Sequence, residues 1–142
     1  MSAPGAWRAR LLDWLAGDQP VLFLAEAEAD DEQLLLQLEQ AGFDPVAVDL
    51  AGVVDKSGLM AAMRDALGLD AWFGANWDAL SDALYGPEAP IERAQVLVLQ
   101  LPPSGLELDA ADLRILLDIV AEVAGSERST LRGAIVTGGC AL

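Results

Sequence analysis

With 142 residues and 54% hydrophobic side chains, the chain has enough apolar material for one packed core and is short for two domains. Its 23 acidic residues outnumber 8 basic ones for a net charge of −15, which disfavours direct binding to nucleic-acid phosphates, since that needs clustered Lys and Arg. It has no histidine, which removes His-based acid–base work, Ser–His and Cys–His nucleophiles and His-containing zinc sites; a non-enzymatic role without cofactor or metal is expected.

In chain order, residues 5–16 predict a short helix with Trp7, Leu11, Trp14 and Leu15 on one face and Gly17 to end it. Pro20 opens a strand, Val21–Leu24. This four-residue apolar run, preceded by Asp13, Asp18 and Gln19, is too short for a secretory signal, and the expected location is the cytoplasm. No apolar stretch is long enough to span a bilayer. Asp30-Asp31-Glu32 favour a helix start through the helix dipole; Leu34, Leu35, Leu38 and Ala41 continue it to Gly42. A second strand follows at 45–50, and this strand–helix–strand unit predicts a right-handed parallel crossover.

Leu59, Met63 and Leu67 predict a helix over about 57–67, and another starts near Asn76. Residues 96–101 form a near-continuous apolar strand of the kind found in sheets covered on both faces. Asp109 caps a helix over 109–124 whose stripe is Leu113, Leu116, Leu117 and Val120, and Gly125 ends it. Residues 133–137 supply the last strand, and residues 86–90 and 102–105 are turns. Cys140 stands alone, which excludes an internal disulfide and predicts a passive terminal thiol. The expected fold is a single α/β domain with a small, mainly parallel sheet packed with helices.

Charge is spread along the chain: −7 over residues 1–44 and −8 over residues 45–142. Such acidity fits either a merely soluble acidic protein or one with a basic protein partner, since opposite fields steer association; the free chain is expected to be a monomer. One segment concentrates the signal. Residues 72–84 read Trp-Phe-Gly-Ala-Asn-Trp-Asp-Ala-Leu-Ser-Asp-Ala-Leu. Gly74 permits a sharp turn, Asn76 is a good N-cap, and Trp77, Leu80 and Leu84 are spaced to face the core. Asp78 and Asp82 stand four apart on the other side, where they repel each other by about 0.2–0.5 kcal/mol. A helix shaped for stability alone would more often place Lys at one of them. Such a local conflict beside Trp72 points to binding.

Residues 72–84 resemble the signature of the barstar family, intracellular inhibitors of the bacterial ribonuclease barnase. The pattern is two aromatics, Gly, any residue, Asn, a large apolar residue and Asp-Ala-Leu-x-Asp-x-Leu, met by Trp72, Phe73, Gly74, Asn76, Trp77, Asp78, Ala79, Leu80, Asp82 and Leu84. The resemblance spans about residues 45–138, which implies three family strands; residues 1–44 look like a β–α addition carrying an extra N-terminal strand. It implies an inhibitor or immunity protein that plugs the basic active site of a barnase-like secreted ribonuclease. Trp72 would contact the enzyme, Asp78 and Asp82 are the two motif aspartates, the second in the phosphate pocket, and Glu122 would reach the enzyme from the late helix. Gly74 and Asn76 shape the binding segment. Ser81 and Pro87 depart from the family, which has large aromatics there, so part of the apolar rim is lost. Two alternatives stand beside this reading. One is a barstar-fold module for a basic protein that is no nuclease. The other is an enzyme holding Mg²⁺ on Asp78 and Asp82, which the missing phosphate cradle argues against.

Overall fold

The computed structural model describes residues 6–24, 31–69, 76–85, 94–102, 107–126 and 129–138. The elements run α1 (Ala6–Ala16), β1 (Val21–Leu24), α2 (Asp31–Gln40), β2 (Asp44–Asp49), α3 (Lys56–Leu67), α4 (Trp77–Leu84), β3 (Gln95–Leu101), α5 (Ala110–Ala124) and β4 (Leu131–Gly138). All four strands join one sheet in the order β1-β4-β3-β2, and every pairing is parallel. This is the α/β fold with a parallel sheet that the hydrophobic pattern predicts.

Alternation along the strands creates two cores, one on each face. Leu97, Leu99 and Leu101 of β3 join Ala134 and Val136 of β4 beneath α3, α4 and α5. Val96 and Val98, with Ile135 and Leu24, point the other way, into Trp7, Leu11 and Trp14 of α1 and Leu34 and Leu38 of α2. Both faces of the central strands are covered, which is why β3 is apolar at successive positions rather than at alternate ones.

One expectation changes in form. The strand–helix–strand unit at 21–50 does not join neighbouring strands: β1 and β2 lie at opposite edges of the sheet, with α2 packed against β2. The return path, β2 to β3 to β4, moves one strand at a time with α3, α4 and α5 on the other face. Crossovers of one hand require such a switch of face when the direction of travel reverses. The local pattern carries no information on which strand β1 pairs with; the pairing with β4 brings the chain entering β1 so close that residue 133 must lack a Cβ. Gly133 has φ 155°, and a Cβ there would lie 2.1 Å from the Pro20 carbonyl oxygen. That oxygen accepts a hydrogen bond from the Ala134 amide at 2.9 Å.

Candidate protein-binding face

The helix carrying the two aspartates is fixed at its start by Asn76. Its Oδ1 accepts a hydrogen bond from the Ala79 amide at 2.8 Å, satisfying one of the free donors of the first turn. The inner side is anchored by Leu80 and Leu84, which are 0% and 2% exposed. At about 100° per residue, Asp82 falls opposite that anchored side and Asp78 beside it; both are exposed. Asp78 is also in the first turn, where the helix dipole favours an anion. Among the described residues neither carboxylate, nor that of Glu122, has a cation within salt-bridge distance.

Trp77 packs against the core as its spacing predicts, half-buried at its edge, and Lys56 at the start of α3 lies over its ring, 5.5 Å from the centroid. The contact joins the start of α4 to the start of α3. α3 packs on β2, so α4 lies on the β2 side of α5, against which it packs.

Glu122 stands on the solvent side of α5, whose inner stripe is Leu113, Leu116, Val120 and Val123. Asp118, four residues earlier, is exposed on the same outward side. The sequence reading picked out Glu122 alone; the i, i+4 spacing of Asp118 and Glu122, the same as in α4, was the signal that could have added it. Together α4 and α5 carry Asp78, Asp82, Asp112, Asp118 and Glu122 against a single cation, Arg114. Asn76 therefore caps α4, Asp78 and Asp82 lie on it, and Glu122 is on the helix packed against it. Trp72 and Gly74 lie outside the described residues.

Two other features mark what this face is not built around. A pocket of about 370 Å³ lies on the far flank of α5, lined by Ala121, Ala124, Gly17, Pro20 and Leu131 among others, and holds none of the predicted site residues. Among the described residues no three His, Cys, Asp or Glu side chains converge as a metal cage requires. The chemistry available at α4 and α5 is that of rigidly held, hydrated carboxylates. Such groups accept paired hydrogen bonds from guanidinium and ammonium groups at little ordering cost.

A search among curated proteins finds no match to the chain. The family model described as Barstar (barnase inhibitor) matches residues 43–136, about two thirds of the chain and all of β2, α3, α4, β3 and α5. The chain therefore belongs to the Barstar (barnase inhibitor) family.

Proposed function

We propose that the protein binds and blocks a small, basic, secreted ribonuclease of the barnase type by laying the carboxylates of α4 and α5 into its cationic active site. The observation that carries this reading is the pair Asp78 and Asp82, exposed and unpaired among the described residues on a helix whose opposite side is locked into the core. A ribonuclease stabilises a phosphorane with Arg, Lys and His, so its active site is a preformed receptor for anions. Asp82, the second motif aspartate, takes the place of the substrate phosphate; Asp78 and Glu122 pair with cations around it, and Trp72 packs against the enzyme surface. Gly74 and Asn76 hold the segment in shape. The protein has no catalytic role in this reading and acts in the cytoplasm, where it neutralises either the producer's own enzyme or one from a competitor.

The test is a titration of barnase and a panel of other small basic ribonucleases, with RNA cleavage as readout. A basic protein without nuclease activity serves as control. Stoichiometric loss of cleavage for at least one ribonuclease, with no binding to the control, is the expected outcome. Binding to the basic control with no inhibition of any ribonuclease would instead favour a barstar-fold module for a different basic partner.

A further inference from the structure

The geometry points to Ile115 of α5 as an apolar contact for that same ribonuclease, a residue that sets which enzyme is held rather than how strongly charge attracts it; this rests on the function just proposed. Among the described residues five large hydrophobic side chains are exposed: Leu12, Phe23, Leu36, Val54 and Ile115. Single exposed apolar residues are ordinary, so exposure alone carries nothing. Position separates Ile115 from the rest. Leu12 and Leu36 belong to α1 and α2, across the sheet from the carboxylates; Phe23 is on the edge strand β1, and Val54 is in the turn before α3. Only Ile115 lies on either helix of the acidic face.

Its direction follows from the helix period. Ala121 and Ala124 flank the buried stripe of α5 on one side, and they line the pocket with Gly17 and Pro20, so that flank is turned toward β1. Ile115 and Ile119 fall on the opposite flank, toward α4, which sits on the β2 side of α5. Ile115 is seven residues before Glu122, two turns away on the same face. Ile119, between them, is half-buried and packs on the core. The result is an apolar strip that emerges from the core and reaches solvent at Ile115, 39% exposed, in line with Glu122. More than a third of a branched aliphatic residue stands in water there, where helix propensity favours Leu, Gln, Glu or Lys.

The occupant with matching chemistry is an apolar patch bordering the cationic cleft of the ribonuclease. Carboxylates supply attraction to any basic enzyme. A shaped apolar contact excludes water beside the charge pairs, strengthens them by lowering the local dielectric, and discriminates among enzymes that share the cations.

The experiment uses the ribonuclease of the panel that the parent chain inhibits most strongly, and compares Ile115→Gln, Ile115→Leu and, as control, Leu36→Gln on the opposite face. Each variant is measured for melting temperature and for Kd at two salt concentrations. Ile115→Gln is expected to weaken binding about tenfold with an unchanged salt dependence, Ile115→Leu to bind within about threefold of the parent, and Leu36→Gln to bind as the parent does. Parent-like binding by Ile115→Gln, alongside lost binding by Asp82→Ala, would overturn the role of Ile115 and leave the carboxylate reading standing. Parent-like binding by Asp82→Ala would overturn the carboxylate reading itself. Equal losses for Ile115→Leu and Ile115→Gln at full stability would also count against an apolar contact.

Discussion

The guanidinium of Arg132, at the start of β4, stacks on the indole of Trp14, 4.2 Å from the ring centroid, and donates hydrogen bonds to the main-chain carbonyls at the end of α1. The acceptors are Trp14, Gly17 at 3.0 Å and Gln19 at 2.8 Å. α1 has no basic residue in its own last turn, so a distant strand supplies the donors and positive charge that its free carbonyls require. Burial lowers the Arg132 pKa from its ordinary value while Asp18 raises it, and the group stays charged at any working pH.

Arg132→Ala should therefore destabilise the fold by about 2–4 kcal/mol, adding the lost cation–π contact to carbonyls left without a partner. Arg132→Lys should recover less than half of that, because one ammonium cannot fork across three carbonyls and an aromatic face. Urea denaturation of the parent and both variants measures the difference. The remaining folded protein should inhibit its ribonuclease as the parent does, since Arg132 is on the far flank of α5 from the acidic face.

A second expectation concerns residues 1–42, which precede the family match. Their described elements are tied into the same sheet: β1 pairs with β4, and α1 and α2 cover Val96, Val98 and Ile135, all 0% exposed. Removing them would leave that apolar face in water and open an edge along β4. We expect a chain starting at residue 43 to aggregate or to lack a cooperative transition, as judged by gel filtration and thermal denaturation. A stable monomeric fragment that still inhibits would make the addition dispensable.

What the sequence made legible is what short-range chemistry determines. Asn76 and Asp109 cap their helices where a side-chain oxygen can reach a free amide two or three residues on, and both hydrogen bonds are found. The run at 96–101 announced a strand covered on both faces, and the aspartate spacing placed Asp78 and Asp82 on the outward side of α4. Long-range relationships were hidden. No feature of residues 21–24 names β4 as the pairing strand, and the close approach of Pro20 to Gly133 that the pairing requires is visible only in the fold. Nor does an arginine at position 132 announce that it closes a helix more than a hundred residues earlier. The spacing of Trp77 predicts its packing against the core, while the cover over its ring comes from Lys56 on another helix, which periodicity cannot see.

Association should be driven by charge. A chain of net −15 meeting a basic enzyme gains a long-range attraction that ions screen over about 10 Å at 0.1 M salt. The on-rate should therefore fall by about tenfold or more between roughly 0.05 and 0.5 M sodium chloride, while the off-rate changes less. Stopped-flow fluorescence with barnase or another inhibited ribonuclease measures both. An on-rate that hardly responds to salt would rule out electrostatic steering as the source of speed.

The sharpest separation of functional from decorative carboxylates comes at Asp82. Its side chain points away from Leu80 and Leu84, is exposed, and has no cation partner among the described residues, so folding draws little from its charge. Removing it also relieves the repulsion with Asp78, a gain of about 0.2–0.5 kcal/mol. In the proposed complex the same carboxylate would be desolvated against cations, and truncation would leave those charges buried and unpaired. The expected loss is about 2–5 kcal/mol, the range known for buried interfacial charge pairs, barnase–barstar among them, or about thirtyfold to several thousandfold in affinity. Asp82→Ala should thus unfold within about 1 kcal/mol of the parent while inhibition largely disappears. Asp78→Ala, Glu122→Ala and Trp72→Ala should follow with smaller losses. Melting temperature and inhibition must be read together on each variant. Full inhibition by Asp82→Ala would show that the active site is not plugged by this carboxylate, whereas loss of the fold would make Asp82 a structural residue and misplace the outward face of α4.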